Sequence, residues 1–224
     1  LLSGTLWVSF FAILIALPFG LAISIYLAEV APPSVSKVLK PIIELLNGIP
    51  SVVYGFFGLA VIVPLLQQTF NLPVGESGLA GSLVLALMAL PTIITVAEDA
   101  MRNCPRTMRE ASLALGATQW QTIYKVVVPY SISGITSGVV LGIGRAIGET
   151  MAVLMVTGNA AVIPTSILEP LRTIPATIAA ELGEAPAGGA HYQALFLLGV
   201  LLFFITLIIN SCVEIVSVRN KTKR

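Results

Sequence analysis

Residues 131–157 read SISGITSGVVLGIGRAIGETMAVLMVT, a run long and apolar enough to cross a bilayer that nonetheless holds one arginine and one glutamate. Gly134, Gly138 and Gly142 recur at four-residue spacing, the small-residue pattern that lets membrane helices approach closely. Steps of three and then four residues from Gly142 reach Arg145 and Glu149, so a continuous helix puts both charges on that stripe. A charge at the bilayer centre costs about 2.5–3.5 kcal/mol on insertion scales, which argues against the lipid face. The two are expected to line an interior cavity or to pair with each other. Two readings stay open. One is a buried ion pair that fixes helix packing. The other makes Arg145 a counter-charge for an anion crossing the pathway, because a guanidinium holds an oxyanion through forked hydrogen bonds. Glu149 would then position Arg145, weaken the anion's hold, or accept a hydrogen bond from a protonated anion.

The rest of the chain repeats the apolar pattern. Hydrophobic residues make up 56% of the 224 and charged residues 10%, too little charge to cover a soluble domain of this length. Further spans are predicted over Leu1–Ala28, Ser51–Leu66, Leu79–Ala97 and Tyr192–Val216, making five with Ser131–Thr157. The second follows the interruption Asn47-Gly48-Ile49-Pro50, with an apolar lead-in from Ile42. Pro18, Pro64 and Pro91 fall inside or at the ends of spans, where membrane helices tolerate them. The fold class is therefore all-α and polytopic. A net charge of +1 gives no case for nucleic acid. Cys104, Cys212 and His191 are too few and too scattered for a metal site.

Basic residues set an orientation. Lys37 and Lys40 lie in the first connection, Arg102, Arg106, Arg109 and Lys125 in the third, and Arg219, Lys221, Lys223 and Arg224 in the tail. The alternate connections hold Arg172 against Glu76, Glu169, Glu181 and Glu184. The positive-inside rule places the C-terminus in the cytoplasm and Leu1 outside. No charged n-region precedes the first span, so it does not read as a signal peptide. An outside start implies at least one further span upstream, making six or more in the intact subunit. The longest cytoplasmic connection, 98–130, contains the helix-forming run Glu110 to Leu115 ended by Gly116-Ala117, then a second helical run, Gln119 to Val128, stopping at Pro129. Two short helices outside the bilayer read as a docking platform, with a solvated loop as the alternative; connections this long usually carry function.

The residues Glu110-Ala111-Ser112, Gly116 and Val126-Val127-Val128-Pro129 resemble the EAA loop of ABC importer permeases, with Ser112 for the third small residue and valines for the usual Ile and Leu. The run Gly142 to Asn159, with its GETMAVLM ending, is similar to the phosphate-specific permeases of PstC type, as are Gly48 to Gly58 and Arg109 to Ala117. The resemblance covers essentially the whole chain. It implies a single type I ABC importer transmembrane domain over 1–224, with 98–130 as the cytoplasmic coupling loop. In that role Glu110, Ala111, Ser112, Gly116 and Pro129 serve ATPase coupling, Arg145, Glu149 and Thr150 the substrate pathway, and Gly134, Gly138 and Gly142 helix packing. It further implies a PstA-like second permease subunit, two ATPase subunits and an external phosphate-binding protein, in a prokaryotic inner or plasma membrane. The chain has no GxxxxGK[ST] loop, so ATP and Mg belong to the partner ATPase and this chain is expected to carry no cofactor and no metal. A permease for sulfate or molybdate is the near alternative, against which the Gly144 to Asn159 run speaks. An ATP-independent secondary transporter would leave the platform unexplained, and a membrane scaffold that signals phosphate status without transport is a third. Thr150, Thr157 and Asn159 offer either pathway contacts or packing contacts. The external segment Leu171 to Gly189 either faces a binding protein or simply connects.

Overall fold

A computed structural model of the chain describes residues 1–222, with side chains through residue 212. Lys223 and Arg224 of the basic tail lie outside the described residues, as do the side chains of Arg219 and Lys221. Among the described residues, five helices are long and apolar enough to cross a membrane: Leu2–Val30, Ser51–Phe70, Gly78–Arg102, Gln119–Gly148 and Ala190–Cys212. Their number matches the sequence expectation. Their boundaries differ instructively.

The first is α1 (Leu2–Ile25), which continues through a π-helical turn, Tyr26–Val30. The second is α3 (Ser51–Phe57), a π-turn at Gly58–Ile62, then α4 (Val63–Phe70). The fourth begins as α7 (Gln119–Thr122), widens into a π-turn at Ile123–Val127 and continues as α8 (Val128–Gly148). The N–H groups of Ala31, Val63 and Val128 each reach back five residues, to Tyr26, Gly58 and Ile123. Each stands immediately before a proline: Pro32, Pro64 or Pro129. In a regular α-helix a proline ring at position i clashes with the carbonyl at i−4. Widening the turn by one residue relieves the clash while keeping the backbone hydrogen-bonded. Pro129 was expected to stop a short helix; the chain passes through it instead.

Between the first two spans lies α2 (Pro33–Asn47), a helix starting on a proline, which suits a first-turn position because its missing N–H has no partner there anyway. It ends at Gly48, so the lead-in expected from Ile42 belongs to a separate helix. The third span is α5 (Gly78–Arg102), with Pro91 inside it. There follow α6 (Arg106–Ala114), α9 (Met151–Val156), α10 (Ile174–Glu181) and α11 (Ala190–Thr222).

The chain groups into two compact units, and α1, α5, α8 and α11 contribute a segment to each. One unit comprises Leu1–Ala16, Ile49–Ala89 and Ile143–Ile209. Its core joins Val8 and Ala12, Val84, Leu85 and Met88, Ala152, Val153 and Val156, and Leu171. Glycines let α3 seat on α9: a Cβ on Gly55 would stand 2.9 Å from the Ala152 Cα, and one on Gly58 2.9 Å from Val156. Ser82 donates its hydroxyl to the carbonyls of Gly78 (2.7 Å) and Val8 (3.2 Å), binding α5 to α1.

The other unit comprises Leu17–Gly48, Leu90–Gly142 and, of the described residues, those from 210 to 222. Ala97, Met101, Cys104, Val127 and Ile135 form its core, with Leu21, Ile25 and Ala28 against them. Helix α8 lies on α5 here. A Cβ on Gly134 would collide with Ala100, and one on Gly138 would stand 3.1 Å from Val96. Ser131 donates to the Ala100 carbonyl at 2.9 Å on the same line. In lipid no hydrophobic drive pushes helices together, so close van der Waals contact and such bonds supply the attraction.

Candidate functional site

Helix α6 carries the expected coupling residues Glu110, Ala111 and Ser112. It ends on Leu115, with Gly116 at φ +84°. The Gly116 N–H reaches the Leu113 carbonyl and the Ala117 N–H the Ser112 carbonyl, so the helix closes on a Schellman turn that needs a left-handed residue. Thr118 then caps α7: its hydroxyl accepts from the Gln121 N–H, and the Gln121 side chain accepts from the Thr118 N–H. The Ser112 and Thr122 hydroxyls meet at 2.9 Å and tie the two helices together. Glu110, Ala111 and Gly116 are exposed, as is Leu115, at 89%, with Leu113 at 49% and Trp120 beside them. The result is a compact turn-linked pair of helices with an apolar outer face. Pro129 lies beyond it, at the start of α8.

A second region lies where α8 ends. The sequence predicts a continuous span to Thr157, but the helix stops at Gly148, and Glu149 and Thr150 stand in a break before α9. Arg145 sits in the last turn of α8, half-buried, and acts electrostatically on the buried Tyr54 of α3. Glu149 is not on the helical stripe. Its carboxylate turns forward and accepts from the Ala152 N–H at 3.3 Å, capping α9. The break is where broken transmembrane helices keep backbone polar groups available, provided protein or a cavity surrounds them. Such a cavity is present. It measures about 550 Å³ and is lined by Gly148, Thr150, Pro175, Ile178, Leu182 and Leu202, among others. The Thr150 hydroxyl donates to the Gly148 carbonyl at 3.3 Å. Of the packing glycines, Gly134 and Gly138 face α5 as described, and Gly142 is buried on the same stripe.

Thr157 and Asn159 are held by packing contacts. The Thr157 hydroxyl is buried and donates to the Val153 carbonyl, and the Asn159 amide donates to the Leu154 carbonyl at 2.6 Å. The segment after them returns alongside, with the Leu171 N–H on the Thr157 carbonyl at 2.9 Å. On α10, Glu181 is shared by Arg172 at 2.6 Å and His191 at 3.2 Å.

Two carboxylates stand out that the sequence pattern does not single out. Glu98, in α5, is 1% exposed; it meets the Arg102 guanidinium at 2.5 Å and the Lys40 ammonium at 3.5 Å. Arg102 also donates to Ser36 and to the Leu27 carbonyl. Lys40 holds Asp99 at 2.8 Å, and that hydrogen bond pushes its ammonium above the usual value, against the opposing effect of burial. Glu29, 9% exposed, lies in the π-turn that ends the first span and meets Arg109 of α6 at 2.8 Å. Acidic residues at the edge of a hydrophobic run read as ordinary boundary markers; Arg102 reaches Glu98 from one turn along the same helix, and only the fold brings Lys40 to Glu98 and Arg109 to Glu29. Tyr54 is a third case, lost in a sequence run that is apolar throughout.

Residues 20–221 match the family described as the binding-protein-dependent transport system inner membrane component. The chain belongs to that family. Membership implies an inner-membrane location and, as partners, an ATPase and a substrate-binding protein. Similar relatives extend over nearly the whole chain. A probable ABC transporter permease protein, YqgH, of Bacillus subtilis is 43% identical over 97% of this chain and 71% of its own length. The phosphate transport system permease protein PstC of Mesorhizobium japonicum is 40% identical over 92% and 68%, and that of Pasteurella multocida 38% over 98% and 74%. Among solved structures, the inward-facing MetNI methionine ABC transporter aligns with a TM-score of 0.73 over 97% of this chain and 93% of that one, at 20% identity. That likeness shows that this inner membrane component shares the fold of that transporter chain. As a transport component it is not itself the catalytic subunit.

Proposed function

We propose that this chain is the PstC-type permease subunit of an ATP-driven phosphate importer, forming half of a pathway whose other half is a PstA-like subunit. The observation that carries the substrate is the 38–40% identity, over nearly the full chain, to proteins named as phosphate transport permeases. The site chemistry agrees with an anion. An arginine held inside the fold, one turn before a broken helix and beside a phenol, offers the forked donors a phosphate oxyanion fits. Glu149 and Thr150 at the break complete the pathway lining. Two ATPase subunits carrying ATP and Mg would engage α6 through Glu110, Ala111, Ser112 and Gly116, and an external binding protein would deliver phosphate. The basic connections support a cytoplasmic C-terminus: Lys37, Lys40, Arg102, Arg106, Arg109 and Lys125 fall in one unit, and Arg172, Glu169, Glu181 and Glu184 in the other.

The test is uptake of radiolabelled phosphate by cells lacking their own permease, supplied with the intact subunit and its partners. Wild type is compared with Arg145→Ala at matched membrane levels. Uptake by the wild type and its loss in the variant is the expected result. Equal uptake by both would demote Arg145 to packing. If an assembled wild-type complex moves no phosphate, the substrate is wrong, and sulfate and molybdate are tried next.

A further inference from the structure

Glu29 ends the first span in an irregular turn, and two pieces of the platform grip it there. Its carboxylate meets the Arg109 guanidinium of α6 at 2.8 Å, and its backbone carbonyl accepts from the Gln119 side chain of α7 at 3.3 Å. Burying a carboxylate at 9% exposure is costly unless a partner offsets it. The same Arg109 nitrogen donates to the Met101 carbonyl in the last turn of α5 at 2.8 Å. Among the described residues, Arg109 ties α6 to the first and third spans, while Ser112 ties it to α7 at the start of the fourth. The Arg109 side chain is 24% exposed, while the outer face of α6, with Glu110, Leu113 and Leu115, stays open. The grip is therefore made by a partly buried side chain, distinct from the open side chains of the same short helix.

We propose that Glu29 and Arg109 form the joint through which movement of the α6 platform is passed to the first span, with Gln119 bracing it. The inference rests on the reading of α6 as the ATPase-coupling platform. A rigid helix pair displaced by the ATPase moves the spans only if something stiff links them. A charged contact tied at once to α1, α5 and α7 is such a link. Glu29 and Arg109 are positioning residues: they act through the spans and need touch neither nucleotide nor anion. Removing either charge should leave ATP turnover intact and disconnect it from transport.

The intact complex with its ATPases and binding protein, in proteoliposomes, gives two readouts: inorganic phosphate moved per ATP hydrolysed, and the distance between nitroxide labels at Tyr26→Cys and Thr107→Cys with Cys104 and Cys212 replaced by Ala. For Glu29→Gln and for Arg109→Gln, hydrolysis should persist while phosphate moved per ATP falls roughly tenfold, within the span of usual coupling energies. The charge-exchanged pair Glu29→Arg with Arg109→Glu should regain much of it. The label distance should be narrow in the wild type and broadened by Glu29→Gln. A ratio and a label distance both unchanged by Glu29→Gln would overturn the proposal. Should the wild type hydrolyse ATP but move no phosphate, the substrate reading fails, and the joint is judged on the label distances alone. Should Glu29→Gln not assemble, Glu29→Asp, which keeps the charge and withdraws it by one methylene, carries the same expectations on both readouts.

Discussion

At the scale of single residues, buried carboxylates are the most informative feature of this permease. Glu98 is sealed from solvent while Arg102 and Lys40 keep substantial exposure. Its replacement by Ala strands two cations whose remaining contacts are Asp99, Ser36 and the Leu27 carbonyl. Breaking a buried pair from one side costs about 3–5 kcal/mol, and the water still reaching both cations moves the expectation to the lower end. The purified Glu98→Ala permease should therefore unfold several degrees below the wild type, at about 2–4 °C per kcal/mol. A shift within error would show that the pair adds nothing. The dependence on pH follows from Lys40. Its folded value is raised, so its share of stability is fully present below the ordinary 10.5 and is lost only as pH rises through the higher folded value. The Glu98→Ala deficit should accordingly be constant across the neutral range.

At the scale of elements, three glycines of similar sequence appearance have three different reasons to exist. Gly134 allows α8 to lie against Ala100, and a side chain there has no room. Gly116 has open space around it but sits at φ +84°. Gly148 has neither constraint. Thermal unfolding should separate them: Gly134→Leu is expected to lose about 1–3 kcal/mol by overpacking, Gly116→Ala about 1–2 kcal/mol by left-handed strain, and Gly148→Ala little. An equal loss for Gly148→Ala would contradict the geometry. The stripe Gly134, Gly138, Gly142 is legible in the sequence because small-residue spacing has one reading in lipid. The break after Gly148 is not. Glu149 and Met151 favour a helix, so local propensity argues for continuation. What ends the helix is tertiary: α9 turns to seat on Gly55 of α3 and Gly58 of the π-turn after it, and Glu149 spends its carboxylate capping it. The π-turns are hidden for a related reason, since a proline in a hydrophobic run announces a perturbation without saying whether the helix stops or widens.

At the scale of the whole molecule, the number of spans is readable because composition and length decide it, and the platform is readable because a long connection with helical runs has few other uses. Contacts between distant stretches, such as Glu29 with Arg109, are not. They require the third dimension. The apolar outer face of the platform gives the remaining prediction. Leu113 and Leu115 are exposed on a turn rigidified by the Schellman closure, the Thr118–Gln121 cap and the Ser112–Thr122 contact. An apolar pair presented this rigidly loses little conformational entropy on docking, which is the condition under which a small patch binds tightly. Helix-in-groove recognition places its affinity in such anchors, and truncating a good one costs at least about 2 kcal/mol. Neither leucine belongs to the described cores, so the double variant Leu113→Ser, Leu115→Ser should leave the unfolding temperature of the isolated permease unchanged. It should nevertheless lose the ATPase on co-purification and, with it, phosphate uptake. Retention of the ATPase by a folded double variant would mean that the docking surface lies elsewhere than on α6. Loss of the ATPase together with a lowered unfolding temperature would mean that the leucines hold the fold, and the docking face would then have to be sought among the polar residues Glu110 and Gln119.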